Sequence, residues 1–482
     1  TSPATAAPGS VAALTAENSK SGTRAWKQPA AGAAGDDALA GFLSAPSARP
    51  GDALDLFVQS RLGSWTATAY RIGWYAGTGG RQVWASTPQP AVTQPAAQIR
   101  AGGEVYAPWH RSFTLDTATW PEGTYLVVLR AGGRWKDIPL TLRSDSTRGR
   151  LVMISRTTTS AAFTDAAGYP PYPAPAGSGL GRASTVSFHR PQDGNGASRY
   201  LSFEVTAQQR AERLHVPLAW LTSRDLETPG ILDGALGVVS LGHDEYWSVG
   251  MRAALVKARD AGTNVAFLGG NAIYWRIRFG AEGQSVISYK DAGVDPVRDS
   301  ARTTTLWRRN PHPQPENTLV GMLYECFPAA GSLVVRDPGF FLFQGTGATA
   351  GTRYPGLEGP ETDRAYPTAG TPATLQVVAH SPITCGPTKR TYADMTYYTA
   401  PSGAGVFATG TMNWVPALRG ASARLGIDAA AAGFARTVTD NLLRAMAAGP
   451  MGSAHPAVPD LAGIHANPST STGTGGQLND PS

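Results

Sequence analysis

Between Leu151 and Gly270 the chain repeats one pattern: a short run that is almost wholly apolar, then a longer segment with apolar residues at three- and four-residue spacing. The runs are LVMISR at Leu151, PLAWLT at Pro217, ALGVVSLG at Ala235 and NVAFLGG at Asn264; between them lie YLSFEVTAQQRAERL at Tyr200 and VGMRAALVKARDAG at Val249. A strand without polar alternation is buried on both faces, so this rhythm predicts βαβ units around a parallel sheet. Ligands of such sheets bind beyond the carboxyl ends of the strands, where GHDEYWS opens at Gly242 and GGN ends at Asn271. Both loops are expected to face one crevice.

Upstream, ALDLFVQS, WTATAYRIGWY, YLVVLR and IPLTLR are short alternating runs separated by Gly and Pro turns, the pattern of an antiparallel β-sandwich. The predicted organisation is therefore α/β plus all-β: a sandwich over residues 36–147, then an α/β domain over 148–452. Residues 1–35 and 453–482, rich in Ala, Pro, Gly, Ser and Thr, are expected as flexible tails. FARTVTDNLLRAMA from Phe434 predicts a core-packed helix. The short strands after Tyr274 either extend the sheet or add a β layer.

With charged residues at 16% of 482, and 56 Gly and 37 Pro, coiled coil is excluded. The net charge of +6 is spread without a dense basic run, which argues against a nucleic-acid partner and leaves a weak attraction for anionic wall polymers. No run of eighteen apolar residues exists to span a bilayer. The opening TSPATAAPGS reads as the small-residue linker left after signal-peptide removal, which predicts export. Cys326 and Cys385 are then expected to form one disulfide; neither sits in an elbow beside a His, as a catalytic thiol would.

The candidate chemistry lies in GHDEYWS, where His243, Asp244, Glu245 and Tyr246 crowd a strand-to-helix turn. Imidazole beside carboxylate serves as a general base pair or as metal ligands. Asp244 and Ser248 are also candidate caps of the following helix. The turn carries no nucleophilic Ser or Cys at its bend, so activated water is the expected attacking group. Asn271 can orient a carbonyl or carboxylate, while Tyr274 and Trp275 fit either substrate contact or core. Glu361, Asp363 and Arg364 follow in a Gly- and Pro-containing loop.

ENSKSGTRAW at Glu17, YRIGWYAGTGGRQV at Tyr70, GHDEYWS, NVAFLGGNAIYWRIRF, RDPGFFLFQGTG at Arg336, GPETDR at Gly359 and GAGVFATGTMNW at Gly403 together resemble, in order, the large (beta) subunit of N,N-dimethylformamidase and its secreted relatives. The resemblance implies a β-sandwich followed by an α/β domain of glutamine-amidotransferase-like topology. It also implies amide hydrolysis at one iron held by two Tyr and a Glu. Glu245 matches the Glu ligand, and His243, Asn271 and Glu361 match further active-site groups. Tyr125 is the candidate for one Tyr ligand. The loop after the first parallel strand offers Ser160 and Phe163 where tyrosine is expected, with Tyr169 or Tyr172 as substitutes, and Asp244 stands where the family has Pro. Iron, another divalent or trivalent metal, or a metal-free site are all compatible with this pattern.

Three readings follow. The first is a secreted hydrolase of a non-peptide amide or similar polar bond, with His243, Asp244, Glu245, Asn271 and Glu361 as catalytic residues and Tyr246, Tyr274, Trp275, Asp363 and Arg364 binding a small-molecule substrate. The second is a polysaccharide hydrolase using Glu245 with Glu361 or Asp244, decided by the carboxyl separation. The third is a non-catalytic wall- or carbohydrate-binding protein presenting Trp247, Trp275 and Trp414 as platforms.

Overall fold

A computed structural model describes residues 9–29, 31–165 and 182–465. The apolar runs form the parallel part of a nine-stranded sheet. Leu218–Thr222, Leu151–Ser155, Gly237–Leu241, Asn264–Leu268 and Gly405–Ala408 lie side by side in that order, all parallel. Successive side chains point to opposite faces: Met153, Trp220, Val239 and Ala266 enter one apolar cluster, and Ile154, Leu221, Val238 and Val265 the other. The helix Ala429–Ala448 covers the first face with Phe434, Val438 and Leu442, and Val249–Asp260 covers the second with Met251 and Leu255.

After Tyr274, Trp275–Phe279 and Ser285–Ile287 enter a separate four-stranded sheet with Tyr246–Ser248, and Leu323–Cys326 pairs with Thr362–Arg364, while later strands extend the large sheet. Lys389–Thr399 pairs antiparallel with Gly405–Ala408, followed outward by Gln376–Cys385, Ala329–Val334 and Arg353–Glu358. Cys326 and Cys385 are joined by a disulfide. No helix among the described residues is long and apolar enough to cross a membrane.

Upstream are two smaller sheets. One holds Leu39–Leu43, Ala53–Ser60 and Phe113–Asp116; the other, mainly antiparallel, includes Trp65–Ile72, Gly123–Ala131 and Arg134–Leu142. Leu56 and Val58 from the first meet Ala67, Val127 and Leu129 from the second in one cluster.

Two local expectations are corrected. The helical pattern from Tyr200 is two helices, Ser198–Phe203 and Val205–Arg213, broken at Glu204, whose buried carboxylate lies 3.5 Å from Arg156 Nε. The segments read as tails are packed where described. Val11–Asn18 is a helix capped by Ser10 Oγ, and its end carries Glu17 and Asn18 into the molecule. Glu17 Oε1 accepts from Tyr75 Oη and Arg81 Nε, both at 2.7 Å, and Asn18 Oδ1 accepts from the Trp74 and Tyr75 amides at 3.0 and 2.9 Å. Charge-assisted bonds here supply what the segment lacks in apolar bulk. Toward the other end, Asp460 Oδ1 accepts from the Val377 amide at 2.8 Å and Ile464 is buried against the second cluster.

Candidate active site

The strand Gly237–Leu241 ends in Gly242, whose φ of +60° turns the chain sharply. A side chain there would meet Phe203, and one at Gly269 would collide with the Gly242 carbonyl, so the two loops close on each other only because both positions are glycine. Asn271 sits in the left-handed region at φ +55°, and its amide donates to Asp363 Oδ1 at 2.8 Å. Three loops distant in sequence thus meet at the carboxyl ends of the third and fourth parallel strands.

Four side chains converge there. His243 Nε2 lies 3.4 Å from Glu245 Oε2 and 3.1 Å from Glu361 Oε2. Asn271 Nδ2 bridges the same carboxylates, donating to Glu361 Oε2 at 2.7 Å and to Glu245 Oε1 at 3.4 Å. Asn271 Oδ1 is buried without a hydrogen-bond partner. Burial works against the charged form of His243, but the Glu361 and Glu245 carboxylates outweigh it and hold the imidazole above its ordinary range. Burial likewise pushes the Glu361 carboxyl up, while His243 and the Asn271 amide outweigh that and leave it below the ordinary range.

The remaining predicted residues fall differently. Asp244 faces away from the imidazole: its carboxylate accepts from Ser240 Oγ at 2.9 Å and Thr159 Oγ1 at 3.3 Å, and burial raises it to about 6. Thr159 Oγ1 also accepts from the Glu245 and Tyr246 amides at 3.1 and 3.2 Å, so Asp244 and Thr159 together fix the turn. Ser248 Oγ caps the following helix through the Met251 amide at 3.1 Å. Tyr246, Tyr274 and Trp275 are core residues of a cluster that Phe163 and Tyr324 adjoin. Asp363 is raised to about 7 by burial and supports Asn271, whereas Arg364 stacks over the Tyr366 and Tyr392 rings and donates to Thr391 Oγ1. Trp247, Trp275 and Trp414 are 0%, 4% and 0% exposed, so none is a platform for a sugar.

Other contributors carried no motif. Arg156 Nη1 donates to the His243 carbonyl at 2.7 Å. Lys290 places Nζ 4.6 Å from the Trp275 ring and 5.2 Å from the Tyr246 ring; burial lowers its amine to about 7, against the pull of Glu245. Burial, reinforced by Glu361, pushes the Tyr324 phenol far up, so it stays protonated. Each comes from a segment remote from GHDEYWS, and of these only Arg156, at the end of the LVMISR run, lay in a segment that stood out in the sequence.

Tyr125 is corrected outright. It is fully buried between the N-terminal sheets, stacked on Trp120, and its hydroxyl donates to the Pro121 carbonyl. Tyr125→Phe should therefore cost about 1 kcal/mol, the scale of one hydrogen bond, and leave turnover unchanged; thermal unfolding and an activity assay check this.

A model of the family described as N,N-dimethylformamidase beta subunit-like, C-terminal, matches residues 66–427, most of the chain. The chain belongs to this family. Among curated proteins, none matches it. The iron centre that the resemblance implies calls for two phenolates beside Glu245. In this formamidase-like chain Tyr125 lies elsewhere, and Phe163, which has no oxygen to offer, packs its ring 5.0 Å from that of His243. Tyr169 and Tyr172 lie outside the described residues. Among the described residues no group of three or more His, Cys, Asp and Glu is arranged to hold a metal ion. The matched positions that are described, Tyr125 and Phe163, therefore do not supply the two tyrosines of that iron centre.

Proposed function

We propose that this formamidase-like protein hydrolyses a C–N bond of a non-peptide amide, or a similar polar bond, at the His243–Glu245–Glu361 group. The observation that carries this reading is the imidazole held between two carboxylates that one buried amide also bridges. Glu245 takes a proton from water as the water oxygen adds to the carbonyl carbon. His243, held as imidazolium, gives a proton to the nitrogen as the C–N bond breaks. Asn271 Oδ1, a buried acceptor without a partner, suits a substrate N–H or the attacking water. Glu361 keeps imidazole and amide in register. The apolar wall of Phe163 and Tyr246 limits water and strengthens each charge interaction.

The glycan reading is weaker, because the space between the Glu245 and Glu361 carboxyls, where a glycosidic bond would sit, holds the His243 ring and the Asn271 amide. The disulfide supports an exported protein. The facing N-terminal sheets and the parallel layer support the sandwich and amidotransferase-like arrangement expected of the family.

The proton roles predict a pH signature. An acid with a raised pKa stays protonated past the ordinary histidine value, so the fall of kcat/KM with rising pH should come at higher pH than for an ordinary imidazole. Glu361→Gln removes the carboxylate that most raises His243, so the alkaline limb should move to lower pH. A limb at the same pH in both proteins would remove His243 as the acid.

A further inference from the structure

Beside the candidate active site lies a crevice of about 480 Å³. It shares a wall with that site at three points. Its Pro360 immediately precedes Glu361, its Met412 donates its amide to the Glu361 carbonyl at 3.0 Å, and its Phe203 packs on Gly242, next to His243. Access to the crevice and the position of the catalytic group are therefore set by the same loops.

The chemistry of the lining is one-sided. Arg419 and Arg424 both border the crevice, and no Asp or Glu does. Among the described residues neither guanidinium has an ion-pair partner. The Arg419 guanidinium is lowered, first by desolvation against the protein and then by the nearby Arg424. The one acid on the adjoining helix, Asp440, is taken by Arg210 and Arg213. Ser202 and Ser422 add hydroxyl donors to the same lining. Two unneutralised guanidinia with hydroxyls and no carboxylate make a site that an oxyanion completes, since guanidinium groups match carboxylate and phosphate geometry. The second cavity that Arg419 borders, of about 610 Å³, is lined by both the exposed Lys27 and Asp137, so the one-sided charge is particular to the crevice beside Glu361.

We propose that the Arg419–Arg424 crevice is an anion-binding subsite that takes a carboxylate or phosphate of the substrate and thereby presents the adjoining amide to the His243–Glu245–Glu361 group. The binding half stands by itself; the substrate half rests on the hydrolytic reading. A ligand with its anionic group some atoms away from the scissile bond fits this layout better than a small neutral amide.

The test is calorimetric titration of the full chain with succinate, with inorganic phosphate and with neutral succinamide. Saturable binding of succinate alone assigns a carboxylate, and of phosphate alone a phosphate; binding of both assigns a general oxyanion site. Succinamide should not bind. Arg419→Ala/Arg424→Ala should weaken the bound anion at least tenfold, and Arg419→Lys/Arg424→Lys should recover part of it. Both positions are exposed, so folding should be retained, which circular dichroism checks. Glu245→Gln should bind as the unaltered protein does, which separates failure of this site from failure of the hydrolytic reading. Absence of saturable anion binding, or equal binding by the double alanine variant, overturns the proposal.

Discussion

Glu245→Gln is expected to lower turnover of an amide substrate by at least about a hundredfold, the lower end of what a positioned acid–base group contributes. The substitution keeps shape and volume, so the turn fixed by Thr159 and Asp244 should be unchanged. What it removes is the proton acceptor for water and one of the carboxylates facing His243. Because the loss falls on the transition state, kcat should drop with little change in KM. Steady-state kinetics beside a thermal unfolding curve check this. A variant within threefold of the parent, equally folded, would remove Glu245 from the chemistry.

The largest effect on stability should come from Arg71→Met. Arg71 and Glu212 are 1% and 0% exposed and pair at 2.6 Å, joining the strand Trp65–Ile72 to the helix Val205–Arg213 behind the parallel sheet. Arg71 also donates to Tyr75 Oη at 3.1 Å, beside Glu17. Removing the guanidinium leaves Glu212 buried without its counter-charge, a loss of about 3–5 kcal/mol. Arg71→Met/Glu212→Leu should recover most of it, since no buried charge is then stranded. Burial pushes the Glu17 carboxyl up, yet Arg71, Lys20, Tyr75 and Arg81 outweigh that and hold it at about 2. A depressed carboxyl stabilises fully above its unfolded pKa of about 4.3 and loses that contribution as pH falls toward about 2. Acid unfolding of the unaltered protein should therefore be shifted to lower pH than in Glu17→Gln.

The parallel strands and the two loops at their carboxyl ends were legible because burial on both faces leaves a mark that needs no tertiary information. The nearness of His243 and Glu245 was legible because both stand in one short turn crowded with ionisable groups. Asn271 joined them through the expectation that both strand-end loops face one crevice, and Glu361 only through the family resemblance. The direction of Asp244 was not legible, since the turn set by Gly242 decides which of two neighbouring carboxylates meets the imidazole. Lys290, Tyr324 and Arg156 reach the site from other segments, where single residues carry no period or spacing. The N-terminal segment was misread because composition measures apolar bulk, while Glu17 and Asn18 are held by polar partners more than fifty positions away.

The central claim is that this site adds water to a carbonyl and releases an amine. It is tested most directly by incubating the protein in ¹⁸O-enriched water with formamide, N,N-dimethylformamide and a set of N-acylated amino acids. The account predicts equimolar amine and acid from at least one of them, one ¹⁸O in the acid, and neither product with Glu245→Gln. No amine from any of these amides, acid without label, or products undiminished in Glu245→Gln would contradict it.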